Sequence, residues 1–391
     1  MTPMFPKEDK TFVDLVMKVY AEAASLSEIV HPITKKEIRR LLRHINSYYS
    51  NRIEGEHTTP VDIEKAVKKE YSTDESKKRL QELNVAHIEV QKEIDSRFEK
   101  GEDIAVCSAD FLCWIHKEFY NKVSETFLRI SNNDEIISMK PGELRNRNVA
   151  VGNHVAPNAD TLVEFLEKFE EYYAPENLYG HKKLIAAAAS HQRLTWIHPF
   201  LDGNGRVTRL FAYAYMRKVG IESHGLWTLS RGLARTDDYK QMLAIADSPR
   251  KGDYDGRGNL SEEGLAKFCS FFFETAHDQI TFMKTLLSLD GLLERINGYI
   301  NLRSQNTIPN EPVLRPEARF ILIEVMMRGE VPRGEAQRLT GLGERTARDL
   351  TSQLLDEELV VSESHRSSLR FNIPAKVVGY YFPALYPEGS I

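Results

Sequence analysis

Apolar residues recur at helical spacing over long stretches of this chain, and that limits its fold more than any other feature. Proline and glycine cluster at a few points instead of returning every ten residues or so, as they would between the short strands of an all-β fold. Over 35–49 the apolar positions Ile38, Leu41, Leu42 and Ile45 share one face. Thr59 and Pro60 make a helix start: a hydroxyl cap, then a proline whose missing N–H does no harm. A longer helix is expected over 72–98, ending at Gly101. Ser108 caps another that carries Phe111, Leu112, Ile115 and Phe119. The pattern breaks over 131–160, where Asn, Gly and Pro surround the β-like run Asn148-Val149-Ala150-Val151-Gly152; a loop and a β-hairpin are expected there. Helices resume over 161–173, 181–197, 205–219 and 237–247, and from Ser261 onward. The fold class is therefore mainly α, with a small β-hairpin flap.

A boundary is expected over 306–316, which holds Pro309, Pro312 and Pro316. Beyond it come a helix (317–327), a short helix (333–339) and a turn, Thr340-Gly341-Leu342-Gly343. A second helix (344–355) and two strands within 360–373 around a polar turn follow. That order is a winged helix-turn-helix signature. The chain divides into an N-terminal helical region (1–110), a core (111–305) and this C-terminal module (312–391). With 41% hydrophobic and 28% charged residues, 391 residues can bury a sizeable core. A net charge of −5 argues against a generally basic nucleic-acid coat. Three cysteines without paired spacing (Cys107, Cys113, Cys269) suit a reducing compartment. There is no apolar run long enough for a membrane span, and the first ten residues hold no apolar signal core. The expectation is a cytoplasmic protein with no membrane attachment.

The chemistry concentrates in His198-Pro199-Phe200-Leu201-Asp202-Gly203-Asn204-Gly205-Arg206-Val207-Thr208-Arg209. Two glycines flank Asn204 directly before a helical run. Such a loop leaves backbone N–H groups converging at the positive end of a helix, a ready site for phosphate. Arg206 and Arg209, three apart, share one helix face. Two guanidinium forks beside an amide nest fit a chain of phosphates better than one carboxylate. Asp202 can hold a hard divalent cation such as Mg²⁺. His198, at the end of the preceding helix, is available as a general base. Base, metal ligand, nest and arginines within twelve residues suggest displacement at a phosphoryl centre. No Ser or Cys elbow is present, so the natural nucleophile is a hydroxyl brought by the substrate.

This segment resembles the core of the Fic family, His-Pro-Phe-x-(Asp/Glu)-Gly-Asn-Gly-Arg-x-x-Arg, at all nine fixed positions. Pro141-Gly142-Glu143-Leu144-Arg145 and Val149-Ala150-Val151-Gly152-Asn153-His154 are similar to that family's loop and flap hairpin. The stretch from Tyr239 to Asp247 is similar to its nucleotide-contacting helix, and Ser50-Asn51-Arg52-Ile53-Glu54-Gly55 to its inhibitory motif, (Ser/Thr)-x-x-x-Glu-(Gly/Asn). The likeness covers about 50–272. It implies a Fic-type helical bundle with an N-terminal inhibitory helix near 35–56, and transfer of AMP from ATP to a Ser, Thr or Tyr hydroxyl of a target protein.

Carried over by position, the resemblance implies that His198 deprotonates the target hydroxyl and that Asp202 binds Mg²⁺ bridging the α- and β-phosphates. Gly203, Asn204 and Gly205 supply the anion hole, Arg206 holds the β-phosphate and Arg209 the γ-phosphate. The flap Val149, Ala150, Val151 and Gly152 lines the nucleotide and aligns the target by strand addition. Tyr239 and Asp247 lie near the adenosine. Glu54 pairs with Arg209 and denies it to the γ-phosphate; the same carboxylate, orienting water, could make the enzyme bifunctional by removing AMP.

Other features take blander readings. Asp253 to Gly264 begins like a calcium loop, but Arg257 and Gly264 stand where ligands are needed. His191 is expected to be packed or hydrogen-bonded; His116 and His181 structural or exposed; His154, in the flap, mainly so. Phe271, Phe272 and Phe273 read as core, and Lys65, Lys68 and Lys69 as a solvated face. In the C-terminal module Arg345, Arg348, Arg366 and Arg370 could meet phosphates, yet 312–391 carries 10 Lys/Arg against 11 Asp/Glu. A protein-docking or homodimer-forming module is favoured over DNA binding. The rival reading is a transcriptional regulator, or a toxin–antitoxin-like DNA-binding protein, whose Fic core senses a nucleotide. An intact His198, Asp202 and Arg209 favour the enzyme.

Overall fold

The computed structural model describes residues 4–132, 135–152, 154–236, 238–256 and 258–387. Asn153 of the flap, Asp237 at a helix start and Arg257 of the calcium-like loop lie outside the described residues. The architecture is mainly helical with three small sheets.

Local chemistry sets the helix starts. The Asp9 carboxylate accepts from Phe12 N at 2.8 Å and opens α1 (Lys10–Leu26), a helix absent from the sequence reading. Helix α2 (Pro32–Ile53) starts three residues earlier than its periodicity indicated, because Pro32 occupies the first turn. Thr59 caps α3 (Pro60–Val67) as expected. Asp74, not Ser72, caps α4 (Glu75–Glu99), its carboxylate accepting from Ser76 N and Lys77 N. Ser108 caps α5 (Ala109–Tyr120).

Two hairpins follow where one was expected. Strands β1 (Arg129–Asn132) and β2 (Glu135–Ser138) pair antiparallel, with Ile130 opposite Ile137. Strands β3 (Ala150–Val151) and β4 (His154–Val155) form the flap, with Val151 opposite His154. Then come α6 (Leu162–Tyr173), α7 (Lys182–Ile197), α8 (Asn204–Lys218), α9 (Leu229–Arg235), α10 (Asp238–Ala246), α11 (Glu262–Leu287) and α12 (Leu289–Ser304). Helices α11 and α12 are separate: Ser288 is extended and breaks the run.

The core sits around α7. Its four consecutive alanines, Ala186 to Ala189, are fully buried, and such small side chains allow α6, α8 and α11 to approach closely. Phe272 and Phe273 are core, whereas Phe271 is half-buried at its margin. Asp255 accepts from Lys251 N and Glu263 N, each at 2.9 Å, so the calcium-like stretch is a hydrogen-bonded turn leading into the Ser261 cap of α11.

Beyond the proline-rich stretch lie α13 (Ala318–Arg328), β5 (Glu330–Val331), α14 (Ala336–Thr340), α15 (Glu344–Asp356), β6 (Val360–Val361), β7 (Leu369–Phe371) and α16 (Ala375–Tyr381). The strands form one antiparallel sheet in the order β5-β7-β6. The stretch before α13 is stitched down. Buried Arg303 of α12 donates to Pro312 O at 2.9 Å and to both Glu357 oxygens of the C-terminal segment.

One buried polar network ties α2, α4 and α8 together. The Tyr213 hydroxyl meets Asp95 and Glu222, Arg217 lies 3.3 Å from each of those carboxylates, and Arg43 Nε of α2 donates to Asp95 at 3.0 Å. Burial pushes the Glu222 carboxyl up to about 7, against the pull of Arg217. Between its ordinary value and that one, the folded chain holds a proton the unfolded chain has released, so this group's contribution to stability falls as pH rises through the window. We expect Glu222→Gln to flatten the pH dependence of the unfolding free energy between about pH 5 and 7, by on the order of 1–3 kcal/mol. Denaturant titrations of both proteins across that range measure it; equal slopes would refute it.

Candidate active site

The segment from His198 to Arg209 is a loop pinched between α7 and α8. His198 ends α7 in the left-handed conformation, φ 53°. A residue other than glycine there needs support. Arg145 gives it, its Nε donating to His198 O at 2.7 Å. The same buried guanidinium donates to Ile197 O, to Arg147 O before the flap and to Pro157 O after it. One cation, with no carboxylate partner among the described residues, thus ties both flanks of the flap to the end of α7.

The His198 ring is half-buried. Its Nδ1 lies 3.3 Å from Thr195 O, and a carbonyl only accepts, so Nδ1 carries the proton and Nε2 presents its lone pair. Burial lowers the imidazole to about 4, against the raising effect of the Thr195 bond. It is neutral at physiological pH, the state a base requires.

The turn after His198 is held by Asn204. Its Oδ1 accepts from Phe200 N at 2.9 Å and its Nδ2 donates to Phe200 O at 2.8 Å. This buried side chain staples the loop, so Asn204 can offer a ligand only its backbone. Gly203 has φ 77°, and a Cβ there would strike the Tyr120 hydroxyl and ring. The first turn of α8, from Asn204, leaves N–H groups with no intrahelical acceptor.

Arg206 and Arg209 of α8 are both buried and reach α2. Arg209 Nε donates to Ser50 Oγ at 2.8 Å, and its Nη2 to Ser50 O at 2.9 Å and Glu54 Oε1 at 2.6 Å. Arg206 Nε donates to Asn51 Oδ1 at 3.1 Å. Burial would raise the Glu54 carboxyl, but Arg209, aided by Arg206 and Lys240, outweighs it and the net shift is downward. A Cβ at Gly205 would run into that carboxylate. An anionic side chain therefore already sits over the glycine turn and against the second arginine.

Backbone geometry fixes Glu54 in this place. It ends α2, with Gly55 N donating to Arg52 O and Glu56 N to Asn51 O, each at 3.0 Å. That is a Schellman ending, and Gly55 takes the left-handed position at φ 85°. The Gly-or-Asn alternative of the motif follows, since those residues tolerate that region best.

Asp202 is exposed at the rim. Its side chain meets the Tyr120 hydroxyl at 3.3 Å, and among the described residues no cation pairs with it. A lone carboxylate beside an anion cradle suits a hard divalent ion that draws its other ligands from water and phosphate. Among the described residues no three His, Cys, Asp or Glu side chains converge, so such an ion would lean on its substrate.

Tyr239 is buried, its hydroxyl 2.8 Å from His191 Nε2, and burial pushes its phenol up to about 12. Asp247 accepts from Gln192 Nε2 at 2.6 Å and stands 3.9 Å from His154 Nδ1 of the flap. These two residues brace α10 and the flap against α7. Val149, Gly152 and the strand β3 residues Ala150 and Val151 are partly or fully exposed along the flap. His116 accepts from Gly142 N at 2.8 Å, and His181 pairs with Glu8 at 2.7 Å. Sequence reasoning gave no role to Arg145, Asn51, Tyr120 or Gln192. Arg145 and Asn51 stood inside quoted motifs, which was the available signal; Tyr120 and Gln192 had none.

The site thus joins an α-helical bundle, a glycine turn at the start of a central helix, a histidine at the end of the preceding one and a flap hairpin. Residues 106–216 match the family model described as the Fic/DOC family. Its overall fold is similar to that of a Fic family protein from Desulfovibrio desulfuricans, with a TM-score of 0.52 and 16% identity over 94% of this chain and 98% of that one. A Fic domain containing signaling protein from Bacteroides thetaiotaomicron gives a TM-score of 0.51 and 18% identity, covering 69% of this chain and 96% of that one. Among curated proteins, the protein adenylyltransferase Fic of Drosophila erecta is 35% identical over 79 residues, and that of Drosophila ananassae 37%. Each match spans 20% of this chain and 16% of the relative's length.

Two glycines test how tightly the loop is built. We expect Gly203→Ala to lower the unfolding free energy by about 1–3 kcal/mol, through left-handed strain and the Tyr120 contact. Gly298→Ala, inside α12 with open space around it, should instead raise it by about 0.5–1 kcal/mol. Denaturant unfolding of both measures this, and equal signs would refute the account of the loop.

Proposed function

We propose that this protein is an ATP-dependent protein adenylyltransferase that moves AMP onto a Ser, Thr or Tyr hydroxyl of a target protein and is held inactive by Glu54. One observation carries the reading: a carboxylate already occupies the cradle formed by the α8 glycine turn and Arg209, beside a neutral imidazole with a free Nε2. A site that holds an anion so readily suits the triphosphate of a nucleotide. The adenylyltransferase name of the curated relatives supports the same reaction.

In the proposed mechanism the target hydroxyl gives its proton to His198 Nε2 as its oxygen attacks the α-phosphorus. The α–β bridging bond breaks and pyrophosphate leaves. Backbone N–H groups of Gly203, Asn204 and Gly205 receive phosphate oxygens without reorganising, because the Asn204 staple has set the loop beforehand. Arg206 steadies the β-phosphate and Arg209 the γ-phosphate. Asp202 would hold Mg²⁺, which supplies charge neutralisation between the α- and β-phosphates. The flap from Val149 to Gly152 lines the nucleotide and offers its edge to an extended target segment, and Tyr239 and Asp247 border the adenosine side.

Glu54 and the γ-phosphate compete for Arg209. A 99:1 bias toward the closed state requires about 2.7 kcal/mol, and one charge-assisted hydrogen bond is worth roughly 1.5–3 kcal/mol. The brake is therefore large enough to matter and small enough to release. The C-terminal segment fits a winged helix-turn-helix, but Arg348 is paired with Glu344 and Arg370 with Glu363. Paired arginines on a module of net charge −1 support protein docking over DNA binding.

Two outcomes are expected. His198→Ala should lose at least about 10²-fold of transfer, the usual worth of a positioned base, without a change in unfolding midpoint. Incubation with α-labelled and γ-labelled ATP reads it, and only the α label should move onto protein. Glu54→Gly should raise auto-labelling by about 10-fold or more, the equilibrium shift of one lost charge-assisted bond. An unchanged level would rule out the brake.

A further inference from the structure

Among the described residues the C-terminal module makes no hydrogen bond or ion pair with those assigned to chemistry, yet it lies along the helix that carries the brake. Helix α2 has two buried faces. One looks into the catalytic bundle: Arg43 to Asp95, Asn46 to Gln91, Ser47 to Asn84, then Ser50, Asn51 and Glu54 to the α8 arginines. The other face, beside α9, meets the C-terminal segment at points along its length. Thr34 Oγ1 donates to Met326 O at 2.6 Å. Gly329 passes so close that a Cβ there would strike His31 and Ile33. Arg40 donates to Asn372 Oδ1, and Leu41 lines a small gap with Ile373 and Tyr386.

The last contacts come at the brake itself. The Tyr48 ring meets Tyr386 edge-on at 5.1 Å, and the Tyr49 hydroxyl donates to Leu385 O at 3.1 Å, one residue before Ser50. Arg231 of α9 fixes this tail from the far side, donating to Ala384 O at 2.7 Å and Leu385 O at 3.2 Å. Helix α3, which follows the brake, is held as well. Glu64 accepts from Ala375 N at 2.9 Å, and Lys68, which the sequence placed on a solvated face, pairs with Glu358 at 2.5 Å.

We infer that the C-terminal module is a clamp on the inhibitory helix, whose grip through Tyr48, Tyr49 and Arg40 sets how long Glu54 stays on Arg209. A helix whose two faces are held by different bodies transmits a change in one to the other, because its side chains cannot repack on one face without shifting on the second. Loosening the clamp raises the fraction of molecules with Arg209 free, and transfer rises with it. The inference rests on the proposed braking role of Glu54 and adds to it a function for the last eighty or so residues.

Tyr49→Phe is the decisive variant. It removes one hydroxyl, while Leu385 O keeps its Arg231 donor, so no buried acceptor is orphaned. Tyr386→Leu removes the neighbouring ring contact with Tyr48 from the other body, and Arg338→Ala, on an exposed α14 position, is the control. Two readouts are taken on the full chain: hydrogen exchange of the Ser50 to Glu54 amides, and auto-labelling by α-labelled ATP in the native and Glu54→Gly backgrounds. Expected are exchange faster by about 3- to 10-fold, the range one lost hydrogen bond allows, an unchanged unfolding midpoint and a comparable rise in labelling. In the Glu54→Gly background the clamp variants should add nothing. Wild-type exchange rates in both clamp variants, or an equal labelling gain in the Glu54→Gly background, would overturn the clamp. If Glu54→Gly itself fails to label, the transferase reading falls, while the exchange result still decides whether the module holds the helix.

Discussion

Arg209 is a guanidinium buried to 3% exposure, and a buried cation must have its donors met and its charge answered. Helix α2 does both, through the Ser50 hydroxyl and carbonyl and the Glu54 carboxylate. The rest of the site is arranged around that need. The arginine cannot leave, because α8 is packed on α4, α5 and α7. What can change is the identity of the anion facing it. A phosphate placed over the same glycine turn satisfies the same donors, so exchanging carboxylate for phosphate costs the fold little. Such a pair adds modestly to stability, since desolvation offsets much of its attraction. Its effect is on which ligand the cradle holds.

The cradle depends on removing side chains from one place. Gly203 clears the Tyr120 hydroxyl and Gly205 clears the Glu54 carboxylate, while Asn204 between them turns inward and closes two bonds on Phe200. A loop fixed in this way leaves amides pointing at the ligand without needing the ligand to order them, which is what electrostatic preorganisation requires. Arg145 extends the same rigidity to the flap. Its four carbonyl acceptors lie on both sides of β3 and β4 and at the end of α7, so the edge offered to a partner strand and the imidazole are set by one side chain.

Much of this was readable because the central chemistry is local. Twelve consecutive residues supply the proposed base, the turn and the two arginines that face α2, and a turn before a helix constrains its own backbone. Helices with regular apolar spacing, such as α5 and α7, were legible for the same reason. What the sequence hid comes from distant partners. Asn51 is one asparagine among many until α2 lies against α8 and its amide meets Arg206. Tyr120 and Gln192 gain meaning only from Asp202 and Asp247, 82 and 55 residues away. The hairpin of β1 and β2 carries four-residue strands too short for a clear alternation. Helix α1 was within reach, since Asp9 followed by Phe12, Val16 and Val19 is a capped apolar face. The tail beyond Ile373 was not, because α16 is seven residues long and is held by packing on α12 and α3, not by propensity.

The ending of α2 explains how a rigid bundle can carry a movable part. Glu54 is the C-terminal cap of the helix, and Asn51 O accepts from both Glu54 N and Glu56 N, with Gly55 making the left-handed turn. Only this final turn has to open for Arg209 to be free. The body of α2, fastened by Arg43, Asn46 and Ser47 on one side and by Thr34, Arg40 and Tyr49 on the other, can stay in place. Helix ends open at far lower cost than helix middles. A carboxylate at a helix end therefore suits the proposed braking role better than one in mid-helix: it is ordered enough to fill the cradle, and the few bonds that order it can be weakened without unfolding anything else.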